Sequence, residues 1–386
     1  MKLHKSRQFG TLLFYEFRKI LMLRSTQILL VVLTIYLIMQ VLSQIGQMDD
    51  FDIKTRPLQH SIDGRQIDDA LIAETVEAAY KLGQPYECFN ETNCTYMGLT
   101  GWLRQAVDYG KPLTEYDAEL VYQERENAIC EKMNLMNLSS GEKEYWEKQE
   151  DTVSKPFIWN YTNEIEGLYH IMVAVPIVML FVTVLLLSQI FAGEVKDKTD
   201  PLIRCAIRGW RDTYWAKIVA ATILTFFLNM ILMIAAISTY CIRWGMAGWD
   251  AVIQDLFPLT PYSMTIGQFI VWQLIISMAT SMLLTAVTCF LSAWFKNSLA
   301  AAGAVFGCFL VLFVSSGQLS YSNRLLSQLS CLLSPVNMIS EPALYEYRLI
   351  GWNGFYLTAL QTAPILYITL SVVFILSGYF IYQKRH

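Results

Sequence analysis

The chain has 386 residues, 54% of them hydrophobic and only 16% charged, with a net charge of −4. Soluble domains carry roughly 25% charged residues, so this composition excludes an ordinary soluble enzyme and points to an integral membrane protein. The charge is unevenly spread: residues 47–166 carry 24 Asp/Glu against 11 Lys/Arg, a net −13, and the rest of the chain is +9.

In residues 1–25, Lys2, Lys5, Arg7, Arg18, Lys19 and Arg24 stand against a single Glu. Phe9, Leu13, Phe17, Ile20 and Leu21 form one apolar stripe, with Arg18 and Lys19 elsewhere around the helix. The pattern predicts an amphipathic helix lying on the inner leaflet, basic side toward anionic lipid. It reads either as a plain surface anchor or as an elbow that transmits movement. Six apolar runs then follow, each near the length of about 20 residues that spans a bilayer: Thr26–Ile45, Leu168–Ala192, Ile218–Ile242, Phe269–Phe295, Leu299–Ser316 and Thr358–Tyr382. The first is expected to be a retained anchor rather than a cleaved signal.

The expected fold is an all-α polytopic membrane protein. It has an elbow helix over 1–25, a first span over 26–46, a small α-rich extracellular domain over 47–166 and a second span over 167–192. A cytosolic coupling-helix loop over 193–217 and four further spans over 218–386 complete it, with an outer re-entrant region over 317–357. Fifteen Lys/Arg fall at one side of this arrangement, whereas the short loops opposite hold only Arg243, Arg324 and Arg348. The positive-inside rule then puts both termini in the cytosol of a multi-pass cell-membrane protein.

Within residues 47–166, Asp68–Leu82 and Thr114–Met133 repeat apolar residues at helical steps, and Ser139 with Glu142 predicts a capping box. Three of the eight cysteines lie here, and a Cys88–Cys94 bridge is the favoured pairing, with three unpaired thiols as the alternative. The sequons at Asn90, Asn93, Asn137 and Asn160 would carry glycans in a eukaryote and mean nothing in a bacterium.

The loop Glu194–Lys217 reads EVKDKTDPLIRCAIRGWRDTYWAK. Asp200 can cap a helix, Pro201 fits its first turn, and Gly209 suits the left-handed residue past its end. Ile203, Ile207 and Trp210 share one face, Arg204, Arg208 and Arg211 another, and Asp212 caps the next helix. A short cytosolic lever is predicted, of the kind a transporter driven by a separate motor requires.

Further along, Gly303 and Gly307 make a small-x-x-x-small pattern suited to close helix packing, within one subunit or at a seam between two. Polar groups inside the spans are few. Gln40, Gln44, Asn229 and Gln273 are candidates for lining a path for an amphipathic substrate, or simply for interhelical hydrogen bonds. No Asp or Glu lies near the centre of a span, which speaks against an ion-driven carrier. No catalytic motif and no G-x-x-x-x-G-K-[ST] phosphate loop occurs, and four histidines, two near the termini, do not suggest a metal cluster. No catalytic residue, metal site or resident cofactor is therefore expected.

Taken together, the six-span plan behind an elbow helix resembles the ABC-2 type membrane permeases, the transmembrane subunits of type V exporters. Phe191-Ala-Gly-Glu194, then Arg211 and Lys217 at the spacing of that family's Arg…Lys element, look like it. Leu333-Ser-Pro335 looks like its re-entrant region. Lys198-Thr199 and Gly209-Trp210 replace the family's usual Gly-Thr and Pro-Ser, which loosens the register of the coupling helix. The resemblance implies a second permease chain, same or different, and two copies of a separate ATPase subunit that supplies ATP and Mg. It further implies coupling through Glu194, Asp200, Pro201, Arg204, Arg208, Arg211 and Lys217, with substrates such as peptides, drugs or lipids. The acidic domain suggests a cationic antimicrobial peptide or, more simply, charge that serves solubility; no nucleic-acid partner is expected. The alternative is a non-transporting sensor or immunity protein that binds a ligand through its extracellular domain.

Overall fold

The computed structural model describes residues 2–46, 50–80, 91–107, 114, 116–196, 209–318, 323–352 and 354–385. The protein is mostly helical. Helix α1 (Lys2–Met22) bends at Leu23 into α2 (Arg24–Gly46), with 69° between their axes. Next come α3 (Asp50–Gln59), α4 (Asp69–Tyr80), α5 (Glu91–Ala106), α6 (Ala118–Leu135) and α7 (Ser140–Asp151). The long helices are α8 (Asn163–Leu187), α10 (Gly209–Trp244), α11 (Ile266–Trp294), α12 (Ser298–Gln318) and α15 (Ala359–Arg385). Short helices α9 (Ala192–Lys196), α13 (Arg324–Leu333) and α14 (Pro335–Ile339) punctuate them.

Among the described residues, five helices are long and apolar enough to cross a membrane, and a sixth span is added if the bent α1–α2 pair counts as one. A membrane-embedded, multi-pass chain follows. One departure from an all-helical expectation is a two-stranded antiparallel hairpin, β1 (Ile350–Trp352) with β2 (Phe355–Leu357). Its turn needs Gly354 at φ +84°, which an L side chain rarely adopts.

Helix starts carry their expected chemistry. Asp117 accepts from Leu120 N at 2.8 Å, and Thr265 with Gln268 forms a capping box that opens α11. The Ser139–Glu142 box at α7 is also formed. Where the loop re-enters the bundle the outcome differs from the sequence pattern. Asp212 lies within the described part of α10 instead of capping it, while the helix predicted to end before Gly209 falls outside the described residues. Trp210 accordingly packs on Tyr379 of α15, with ring centroids 5.5 Å apart.

Helix α11 is the axle of the bundle, packing on α8, α10, α12, α14 and α15. Helix α12 is peripheral: only 11% of its apolar stretch is buried, against 61% for α11. Helices α4 and α5, the start of α6 and the loop residues beside them build a separate core around Ile67, Leu71, Leu99, Trp102, Phe157 and Trp159. That domain is seated firmly on one end of the bundle. Arg125, fully buried, donates from Nε to Pro258 O at 2.6 Å and from Nη2 to Thr260 O at 2.9 Å, and also pairs with Glu150. Trp102 Nε1 donates to Gln254 O and Trp146 Nε1 to Tyr347 O, both at 2.7 Å. Glu142 accepts from Leu349 N at 2.8 Å and pairs with Arg324.

Candidate functional site

At the bundle end opposite the domain, five helices converge on one lysine. Helix α8 stops at Leu187; after a turn, α9 begins at Ala192, and α10 runs back from Gly209. Ser292 of α11 stitches this break, accepting from Phe191 N at 3.1 Å and Ala192 N at 3.2 Å and donating to Ser188 O at 2.8 Å. The turn's orphan backbone groups are thus satisfied where water is scarce.

Lys217, two turns into α10, is fully buried. Its Nζ lies 2.6 Å from Glu194 Oε1, 2.6 Å from Ile190 O and 3.7 Å from Glu16 Oε2, and 5.3 Å from the centre of the Phe191 ring. Glu194 is 3% exposed and Glu16 8%. Tyr382 of α15 donates its hydroxyl to Glu194 Oε2 at 3.3 Å. Burying an isolated charge is prohibitively costly, so this set persists only because each charge has an opposite charge or a carbonyl beside it. Around it, Tyr214 stacks on Phe191 at 5.4 Å and donates to Ile375 O at 2.5 Å. Gly378 makes room for that hydroxyl, since a Cβ there would sit 2.8 Å from it. A void of about 50 Å³ lies beside the cluster, lined by Glu16, Lys19, Ile20, Gln189, Glu194 and Lys217 among others.

The structure brings Glu194 and Lys217 into direct contact, and leaves Arg211 exposed in the first turn of α10. Asp200, Pro201, Arg204 and Arg208 lie outside the described residues. On α1, Leu13 and Phe17 pack against the bundle core, Phe9 is half-buried, and Arg18 and Lys19 are exposed. The residue sequence reasoning missed is Glu16, which sits on the buried side of α1 between Leu13 and Ile20. Its signal was present as the one acid in a basic segment, spaced at i+3 and i+4 from those two apolar positions.

Elsewhere, Asn229 Nδ2 donates to Ser277 Oγ at 3.1 Å and Gln273 Nε2 to Ile339 O at 2.8 Å, so both tie helices together. The Gln40 amide atoms are sheltered without a hydrogen-bond partner among the described residues; the Gln44 side chain is outside them. Gly303 and Gly307 are exposed on α12, with nothing within 4 Å of a Cβ built on either. Cys94 is disulfide-bonded, while Cys88 lies outside the described residues. Among the described residues no group of three His, Cys, Asp or Glu is placed to hold a metal. In comparisons with known proteins, no family model, no curated protein and no solved structure matches this chain.

Proposed function

We propose that this chain is the membrane subunit of an exporter, moving an amphipathic substrate with energy from a separate ATP-binding cassette ATPase. The supporting observation is the Lys217 knot. It fastens the surface helix α1 to the ends of α8, α10 and α15, next in sequence to residues 197–208. A push on α1 or on that segment would therefore reach several spans at once, rather than bending one loop. In this reading both termini and residues 197–208 face the cytosol and the docking motor. The −13 region faces outward, and a second permease chain completes the path.

The test is a mild-detergent pull-down from native membranes with nucleotide trapped, followed by mass spectrometry. An ATPase subunit recovered in near-equal amount, whose ATP turnover changes on adding this chain, supports the proposal. Its absence across several detergents turns the question to a ligand of the acidic domain and a sensing role.

A further inference from the structure

Three arginines lie in or beside the short loops at the domain-bearing end of the bundle: Arg243, Arg324 and Arg348. Two are neutralised internally, Arg324 by Glu142 and Arg348 by Glu346. Arg243, in the last turn of α10, has no carboxylate partner among the described residues. Its guanidinium carbon lies 4.8 Å from the ring centre of Trp244, and that of Arg56 lies 4.3 Å from the same ring. Arg56 is in turn held by Glu164, which also contacts His60 Nε2 at 3.1 Å; His60 Nδ1 is 2.5 Å from Asp63. One indole thus holds two guanidinium groups, with only one of them compensated.

Two cations on one ring gain from the π-face but repel each other. The Nε of Arg243 is sheltered and has no acceptor among the described residues. Its two terminal amino groups likewise have no hydrogen bond among the described residues and are not fully enclosed, and the residue is half-buried. The depth matters as well. Trp244 closes a helix that is apolar for most of its length, the level at which indole rings sit among lipid headgroups. A guanidinium fork at that level, stiffened by stacking, matches the geometry of a phosphate.

We infer that Arg243, with Trp244 and Arg56 behind it, is a binding site for the phosphate of a lipid headgroup in the leaflet at the domain-bearing end. The site owes nothing to the transport proposal and stands or falls separately. It is tested on the full chain in detergent by native mass spectrometry, comparing retention of phosphatidylglycerol with that of diacylglycerol bearing the same acyl chains. The wild-type chain should favour the phospholipid by about tenfold, the worth of one charge-assisted hydrogen-bonded contact. Arg243→Gln should erase that preference, Arg243→Lys should keep part of it, and Arg211→Gln at the other end should leave it unchanged. Excess inorganic phosphate should not displace the lipid; displacement would make the site one for free phosphate instead. A wild-type chain without preference, or an Arg243→Gln chain that keeps it while eluting as the wild type does, overturns the assignment.

Discussion

Replacing Lys217 by Met probes the knot most directly, because Met keeps most of the stem volume and removes only the charge. Two buried carboxylates would then face each other without a cation, and Ile190 O would lose its donor. Removing one partner of a buried ion pair costs about 3–5 kcal/mol, and an orphaned carbonyl about 1–3 kcal/mol more. A loss of roughly 4–8 kcal/mol is therefore expected. Glu194→Gln should cost less, about 2–3 kcal/mol, because the amide still accepts from Lys217 and Glu16 still offers a charge. Glu16→Gln should cost only about 1 kcal/mol: at 3.7 Å its contact with Lys217 is a salt bridge without a hydrogen bond. Reversible unfolding in mild detergent, followed by steric trapping, supplies the free energies. The Lys217→Met/Glu194→Gln double variant should recover about 1–3 kcal/mol relative to the sum of the single changes. A Lys217→Met chain as stable as the wild type, or strict additivity in the cycle, would refute the claim that the knot is a coupled buried pair.

Three further outcomes are expected at the domain-bearing end. Arg125→Leu strips Pro258 O of its donor, leaves Thr260 O with Gln254 alone and Glu150 with Lys155 alone, so a loss of about 3 kcal/mol should appear, with faster proteolysis of the domain. Hydrogen bonds donated to Asp63 and then to Glu164 raise His60 to a pKa of about 9 from its ordinary 6.5. Its contribution is thus complete below 6.5 and fades as pH rises through about 9, and His60→Gln should remove that part of the thermal-stability profile. Asp255 shifts stability in the same direction but over a lower pH range, and through burial rather than partners. Burial pushes its carboxyl from 3.8 up to about 8, so the folded chain holds a proton the unfolded chain has lost and stability falls across that window. Asp255→Asn should flatten the decline and stabilise the chain at pH 8 by up to about 5 kcal/mol, read from the same unfolding assay.

Docking of the domain bears on what the transport reading requires. Arg125, Trp102 and Trp146 each reach a backbone carbonyl of the loops that join α10 to α11 and α14 to α15. A buried donor that leaves its carbonyl strands both groups, so separating the domain would break several such bonds together. Between the two fastened ends, α10 and α11 are tied by Thr225 to Thr285 at 2.7 Å and by Asn229 to Ser277 at 3.1 Å. If the chain works as proposed, the domain rides with α11 and α15 and movement falls on α2 and α12, which pack on fewer neighbours.

Much of this architecture is legible in the sequence because apolar length and capping chemistry are local. The span over Ile218–Ile242 appears within α10, and the Ser139–Glu142 box is present as read. The start of α10 is less legible: Asp212 lies inside the helix, where capping chemistry alone suggests its first residue. The hairpin at 350–357 was hidden because two three-residue strands give no periodicity to detect. The knot is the most instructive case. Glu194 and Lys217 follow from a family resemblance, whereas Glu16 stands in the sequence only as the single acid of a basic segment. On a helix wheel Glu16 falls at the edge of the stripe of Leu13, Phe17 and Ile20, and once buried a carboxylate there is untenable without a cation opposite. Identifying that cation takes the packing of α1 against α10, a contact between segments some 200 residues apart that no local pattern encodes.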